Sequence, residues 1–166
     1  MMNRKIIFFI TLFLFVISAT LCCQGNQQNN TNNTEINDIQ NGKKEEQNNI
    51  MYLHLGSKIL TVALVDNSST KALKKLLTQK DITINMRDYG NFEKVGDLGA
   101  SLLQNNEQIT TQSGDIILYQ GNQFVIYYAS NSWNFTRLGR INNISQQELK
   151  NILGVGNVIV RLSLNQ

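Results

Sequence analysis

The stretch from residue 114 to residue 141, GDIILYQGNQFVIYYASNSWNFTRLGRI, decides the fold. It also contains the single tryptophan, Trp133, three of the five tyrosines and the arginines Arg137 and Arg140. Apolar residues on both sides of Gly121-Asn122 alternate with a period of two; they are Ile116, Leu118, Phe124, Ile126 and Tyr128. This alternation predicts two strands that each have one buried face. Gly121-Asn122 predicts a two-residue hairpin turn of the Gly-X kind, in which glycine supplies the positive φ.

Segments on either side of this hairpin predict further short strands and two short helices. Strands are predicted at 51–55, 59–64, 82–86 and 158–164, and residues 105–113 are predicted to form a polar loop. A helix follows the capping residues 66–69, and the capping box Ser145-Gln146-Gln147-Glu148 opens a second one. The pattern favours a mainly β fold, a closed antiparallel barrel whose open ends are covered by the two helices. A split α+β fold with a sheet on helices is the alternative.

Composition excludes several classes of function. The formal net charge is +3 and the basic residues are dispersed, so the basic stripe expected of a nucleic-acid-binding protein is missing. Both cysteines, Cys22 and Cys23, precede residue 50, which rules out a disulfide framework or a cysteine-rich zinc site in the domain that follows. His54 is the one histidine, a poor basis for a transition-metal site. We therefore assign no catalytic residue, metal or cofactor from the sequence.

The N-terminal segments predict export and an anchor. Residues 1–23 combine a basic start, an apolar run and small residues, as a bacterial signal peptide does. Because small residues precede Cys22 and Cys23, we expect a lipoprotein signal that leaves one of them lipidated; an ordinary secretory signal or a retained anchor is the alternative. Residues 24–49 are rich in Asn and Gln and are predicted to be a disordered polar linker. Residues 50–166 form the predicted globular domain. From the predicted signal and lipidation, we expect this domain to lie in the cell envelope, tethered to a membrane.

Three groups of residues carry a family resemblance. They are Asp88-Tyr89 with Glu93-Lys94, the Gly114-Asp115-Ile116…Tyr119…Gly121-Asn122 hairpin, and Trp133…Thr136-Arg137-Leu138-Gly139-Arg140-Ile141. Through them, residues 51–164 resemble the bacterial cyclophilin-like fold proteins, small β-barrels distantly related to cyclophilins. The resemblance implies an eight-stranded barrel with two capping helices, and it implies little about activity. The proline that family members tend to have before the Gly-Asp hairpin is absent here.

The candidate ligand-binding residues are aromatic or charged. They are Tyr89, Glu93, Tyr119, Tyr128, Trp133, Arg137 and Arg140. Rings stack on planar groups and a guanidinium binds carboxylate or phosphate, so this set suits an elongated ligand with a planar or anionic part. A structural interpretation is also open. Tyr128 shares the alternation of the core, and the two arginines have Asp115, Glu93 and Asp88 as possible ion-pair partners.

The sequence favours a peptide-binding or small-molecule-binding module over an enzyme. The alternative is a peptidyl-prolyl cis-trans isomerase that acts on exported proteins. True cyclophilins use an arginine beside a hydrophobic pocket, within a Phe-x-Arg-Val-Ile signature. Because the neighbours of Arg87 do not reproduce that signature, we do not assign it the catalytic role. A flavodoxin-like partner is a third, weaker hypothesis, which rests on the flavodoxin-like domains found beside family members.

Overall fold

The computed structural model describes residues 49–166, which form one closed antiparallel β-barrel with two short helices. The elements in chain order are β1 (Ile50–Leu55), β2 (Lys58–Leu64), α1 (Ser68–Leu77), β3 (Ile82–Tyr89), β4 (Glu93–Asp97), β5 (Glu107–Thr110), β6 (Asp115–Tyr119), β7 (Gln123–Tyr127), β8 (Ser132–Ile141), α2 (Gln146–Leu153) and β9 (Val158–Ser163). The strand order is β2-β1-β9-β3-β4-β7-β6-β8-β5, and an additional β2–β8 pairing closes the barrel. The predicted fold class is confirmed.

The seam between β2 and β8 is short and tight. Val62 pairs with Ile141, and Leu64 pairs with Gly139. A Cβ atom at Gly139 would lie 2.5 Å from the carbonyl oxygen of Ala63, closer than real Cβ atoms approach an oxygen. Glycine is therefore required at this position for the two strands to meet.

The inner faces of the strands and one face of each helix form the main hydrophobic core. Met51, Leu53, Met86, Ile116 and Leu138 are fully buried in this core. Leu73 and Leu77 of α1 and Leu149 and Leu153 of α2 pack against the same cluster. Helix α1 follows the end of β2, and α2 follows the end of β8. Because β2 and β8 are antiparallel, these two ends lie on opposite sides, so the helices cover opposite ends of the barrel.

Both helices begin at the residues that the sequence indicates. The Asn67 side chain accepts a hydrogen bond from the Thr70 amide at 2.8 Å and donates one to the Arg137 carbonyl at 2.8 Å, which ties α1 to β8. Ser145 Oγ accepts from the Glu148 amide at 3.1 Å and caps α2.

Two local predictions were wrong. The polar segment 105–113 contains an edge strand, β5, which pairs with the first half of β8 (Ile109 opposite Trp133). Its mostly exposed polar side chains show no alternation, so the sequence pattern is typical of a loop. The hairpin between β6 and β7 has a three-residue connection, with positive φ at both Gln120 (51°) and Gly121 (79°).

Lys94 points into the barrel and is fully buried, with all of its ammonium donors satisfied. Its Nζ donates to the carbonyl oxygens of Gly154 at 2.9 Å and Gly156 at 2.6 Å, and it lies 2.9 Å from Asp88 Oδ2. Asp88 also accepts hydrogen bonds from the Tyr128 hydroxyl and the Gly156 amide, both at 2.9 Å. Burial opposes the ionisation of Asp88, but these donors together hold its pKa below the ordinary value. The network fixes the segment after α2 against the barrel.

Replacing Lys94 by alanine is expected to lower the free energy of unfolding by about 3 kcal/mol, because it leaves the Asp88 carboxylate and two backbone carbonyls without their partner. Lys71→Ala is the matched control. Lys71 lies at the same 2.9 Å from Asp66, but both side chains are more than 70% exposed, so solvent screens the pair and the loss should be much smaller than for Lys94→Ala. Urea denaturation of both variants measures the difference. Equal losses would contradict this account, since the Lys94 contacts would then stabilise the fold no more than an exposed ion pair does.

The predicted signal peptide (1–23), the lipidation residues Cys22 and Cys23 and nearly all of the predicted linker lie outside the described residues. Within residues 49–166, no helix is long and apolar enough to cross a membrane.

Candidate functional site

An aromatic groove lies on the outer face of the barrel. Antiparallel pairing places Arg87 of β3 opposite Val95 of β4, and Val95 in turn opposite Val125 of β7. Paired residues of neighbouring strands point to the same side of a sheet, so these side chains share one face. The face opposite the main core is thus partly apolar. The groove along it has a volume of about 440 Å³ and also includes side chains from β6 and β8.

The floor of the groove is a second hydrophobic cluster, separate from the main core. Its buried members are Val95, Ile117, Val125, Tyr127 and Phe135, with Phe92 and Ile109 packed against them. Strands β6 and β7 are therefore buried on both faces, which differs from the predicted single buried face. The outer faces of β6 and β7 are buried because residues of neighbouring elements that line the groove pack over part of them.

Aromatic rings contact one another in a continuous series across the groove. Tyr89 meets Phe92 edge-on at 6.2 Å, and Phe92 stacks on Tyr127 at 6.1 Å between ring centroids. Tyr127 lies 5.6 Å from Phe135, which meets Tyr119 at 6.3 Å. Tyr89 is 58% exposed, so the series begins in solvent and passes through the buried floor. Such a row presents flat apolar surface along the length of the groove.

Trp133 extends this surface at the rim. It lines the groove and is 61% exposed, a large fraction for a tryptophan that lies beside an apolar floor. Exposed aromatic side chains that border a concave apolar surface are typical of ligand-binding sites.

Polar groups are few in the groove, and two of them are coupled. Glu93 is 8% exposed, and its carboxylate is hydrogen-bonded by the Tyr127 hydroxyl. Burial raises the pKa of Glu93, although the Tyr127 hydrogen bond acts in the opposite direction. Asn131 Nδ2 donates to the Tyr127 hydroxyl at 3.4 Å. Arg87, by contrast, is an exposed cation at the edge of the same groove.

The structure brings four of the predicted site residues together. Tyr89, Glu93, Tyr119 and Trp133 all line the groove. Tyr128 does not. It packs in the main core at 4% exposure and borders a different depression beside α2, where Lys150 Nζ lies 5.5 Å from its ring centroid. Burial and the hydrogen bond to Asp88 raise the pKa of Tyr128 to about 12, so its hydroxyl is neutral and serves as a structural donor.

Arg137 and Arg140 are likewise outside the groove lining. Both contact the fully buried carboxylate of Asp115, with Arg140 Nε at 2.7 Å and Arg137 Nη2 at 3.4 Å. The hydrogen bond to Asp115 raises the pKa of Arg140. Of the open alternatives for these arginines, an ion pair across β6 and β8 is the arrangement observed.

Sequence reasoning missed much of the groove. It left Arg87 unassigned and did not select the floor residues Phe92 and Phe135. One signal was available. IILY and FVIYY are unbroken apolar runs, which are typical of strands that are covered on both faces. The second apolar face of these runs is the floor of the groove.

A family model of the cyclophilin-like family matches residues 53–163, which include every strand that bears the groove. The chain belongs to the cyclophilin-like family. Among solved structures, this domain is similar to the solution structure of a hypothetical protein from Archaeoglobus fulgidus, with a TM-score of 0.51 and 12% identity. That similarity covers 69% of this chain and 92% of the archaeal chain, and at such low identity it shows the fold alone. No curated protein matches the chain.

Replacing Tyr127 by phenylalanine is expected to raise the pKa of Glu93 further. In the wild type, the hydrogen bond from Tyr127 stabilises the ionised carboxylate and so lowers the pKa. Without that hydrogen bond, nothing opposes the increase in pKa that burial causes. Carbon-detected NMR titration of labelled glutamate side chains measures the change. Tyr119→Phe, which removes a hydroxyl at the other side of the groove, is the control and should leave Glu93 unchanged. A fall in the Glu93 pKa on Tyr127→Phe would contradict this account of the pair.

Proposed function

We propose that this cyclophilin-like domain is a binding module whose outer groove takes an extended peptide or a small molecule that bears an aromatic or apolar group. The observation that carries the proposal is the continuous row of rings from Tyr89 to Tyr119, with exposed aromatic side chains at both rims and a buried, mostly apolar floor between them. The cyclophilin-like fold by itself does not specify an activity, so the function follows from the chemistry of this groove.

The groove geometry suits a narrow ligand more than a flat protein surface. The volume of about 440 Å³ falls within the range typical of small-molecule and short-peptide sites. Rings with few rotatable bonds lose little conformational entropy when a ligand binds, so aromatic contacts contribute efficiently to affinity. The polar groups Glu93 and Asn131 are placed to orient a ligand within this apolar surface.

The binding proposal is tested with the single tryptophan of the chain, Trp133, as an intrinsic probe. Titration with the blocked peptide Ac-Ala-Phe-Pro-Phe-NH₂ is expected to change its fluorescence in a saturable way. Tyr89→Ala should weaken binding about fivefold, since one aromatic contact contributes about 1 kcal/mol. Ile159→Ala, at an exposed apolar residue of β9 outside the groove, is the matched control and should bind as the wild type does. A wild-type protein that shows no saturable change with this peptide would contradict the proposal.

A second candidate function, peptidyl-prolyl isomerase, is favoured by the position of Arg87. This arginine lies beside Val95 at the edge of a partly apolar groove. An arginine beside a hydrophobic pocket is what cyclophilins use, although the residues around Arg87 do not match their sequence signature. Rotation about an Xaa-Pro bond disrupts the amide resonance and leaves an electron pair on nitrogen. A guanidinium N–H held next to the peptide can donate to that nitrogen in the transition state.

The isomerase candidate predicts acceleration of cis-trans exchange in the same blocked peptide, measured by exchange NMR. Arg87→Ala should lower the catalysed rate about 100-fold, the usual effect of removing one transition-state donor. Arg161→Ala is the matched control, because Arg161 lies on β9 and pairs with Asp81 away from the groove. Binding without acceleration by the folded wild type would eliminate the isomerase and leave the binding module.

The proposed location is the cell envelope. An N-terminal signal would direct export, and a lipid on Cys22 or Cys23 would tether the domain through the polar linker. Replacing both cysteines by alanine is expected to move the protein from the membrane fraction to the soluble fraction, because one or two acyl chains supply the anchoring energy. Immunoblots of fractionated cells measure the change. Continued membrane association of the double variant would indicate a retained apolar anchor.

A further inference from the structure

Arg87 differs from the other arginines of residues 49–166 in its ion pairing. Arg137 and Arg140 both contact Asp115, and Arg161 pairs with Asp81. Within the part of the chain that the structure describes, Arg87 forms no salt bridge and no side-chain hydrogen bond. It is therefore a guanidinium whose donors are all available, and it lines the outer groove.

A carboxylate lies on the same face, yet it is bonded elsewhere. Glu93 pairs with Tyr89 in the β3–β4 register, one position along the same face from the Arg87–Val95 pair. The Glu93 carboxylate accepts a hydrogen bond from the Tyr127 hydroxyl, not from Arg87, and it is almost fully buried. A ligand that enters from solvent therefore meets the exposed Arg87 before it meets Glu93.

The surroundings of Arg87 strengthen its interaction with an anion. Val95 lies directly opposite on β4, and Phe92 and Trp133 line the same groove. An ion pair at the border of apolar surface is less screened than one in open water. The planar fork of arginine also matches the two oxygens of a carboxylate, which gives the contact direction as well as charge.

We propose that Arg87 makes the groove selective for ligands that carry a carboxylate next to an aromatic or apolar group. This inference rests on the proposed binding function and adds the chemical class of its ligand. The apolar group would occupy the floor near Phe92, while the carboxylate would meet the guanidinium at the edge. Two sources supply this chemistry, a C-terminal carboxylate and an acidic side chain within a peptide.

The test uses two pairs of probes that differ by one carboxylate. N-acetyl-phenylalanine is compared with its amide, and Ac-Phe-Asp-NH₂ is compared with Ac-Phe-Asn-NH₂. Affinities come from Trp133 fluorescence and from amide chemical shifts of the full-length protein. In at least one pair, the carboxylate probe is expected to bind about tenfold more tightly, the usual effect of a charged hydrogen bond. The pair that shows the preference identifies the source of the carboxylate.

Substitutions at Arg87 separate charge from shape. Arg87→Gln should remove the carboxylate preference and leave the affinity of the neutral probes within about twofold, whereas Arg87→Lys should retain part of it. Arg161→Gln is the control, since it removes an equivalent charge from the outer surface away from the groove. A preference that survives Arg87→Gln, or one that Arg161→Gln also removes, would overturn the assignment to Arg87.

The failure of this inference is distinguishable from the failure of the proposed function. If the neutral and the carboxylate probes bind equally well at the groove, selection for carboxylate is wrong while the binding module stands. If no probe of either pair perturbs Trp133 or the groove amides, both proposals are overturned.

Discussion

Closure of the sheet at the short seam between β2 and β8 is the constraint on which the rest of the structure depends. Once the strands form a ring, each alternate residue must face either the filled interior or the outer surface. Gly139 permits the closure, because any side chain there would collide with the Ala63 carbonyl. The inner set is covered by two helices at opposite ends. The outward-facing side chains of β4, β6 and β7 are covered only in part by neighbouring elements. The groove is the region where they remain accessible.

Strand β4 shows how one segment serves both sides of this barrier. Lys94 points inward and satisfies two carbonyls and a carboxylate after α2, while its neighbours Glu93 and Val95 point outward into the groove. The adjacent charges of Glu93 and Lys94 consequently never share a site. Inside the barrel, the buried charge is neutralised by Asp88 and stabilises the fold. Outside it, the Glu93 carboxylate is hydrogen-bonded by Tyr127 and almost fully covered.

The electrostatics of the outer face divide the arginines by role. The Arg137 and Arg140 pair is held by one fully buried carboxylate, Asp115, and connects β6 to β8. Arg87 has no such partner among the described residues, and it stands beside apolar and aromatic surface. The other arginines of residues 49–166 each contact an aspartate, whereas Arg87 lines the groove without an ion-pair partner. This arrangement relates the binding module and the isomerase candidate to the same side chain, with different chemistry required of it.

The sequence by itself determined both helices, most of the strands, the barrel class and the family, because alternation, capping residues and glycine positions are local signals. Asn67 and Ser145 cap the two helices where their neighbours predict it. The groove required the tertiary structure. Tyr89, Phe92, Tyr127, Phe135 and Tyr119 lie on different elements, and strand pairing with its bulge at Ile116–Ile117 decides that their rings meet. Arg137 and Arg140 look like ligand-binding residues in the sequence, and only the register against Asp115 turns them into a structural ion pair. Arg87 lacks a sequence signature, yet the pairing of β3 with β4 places it at the groove, because position on a sheet face is a property of the closed barrel.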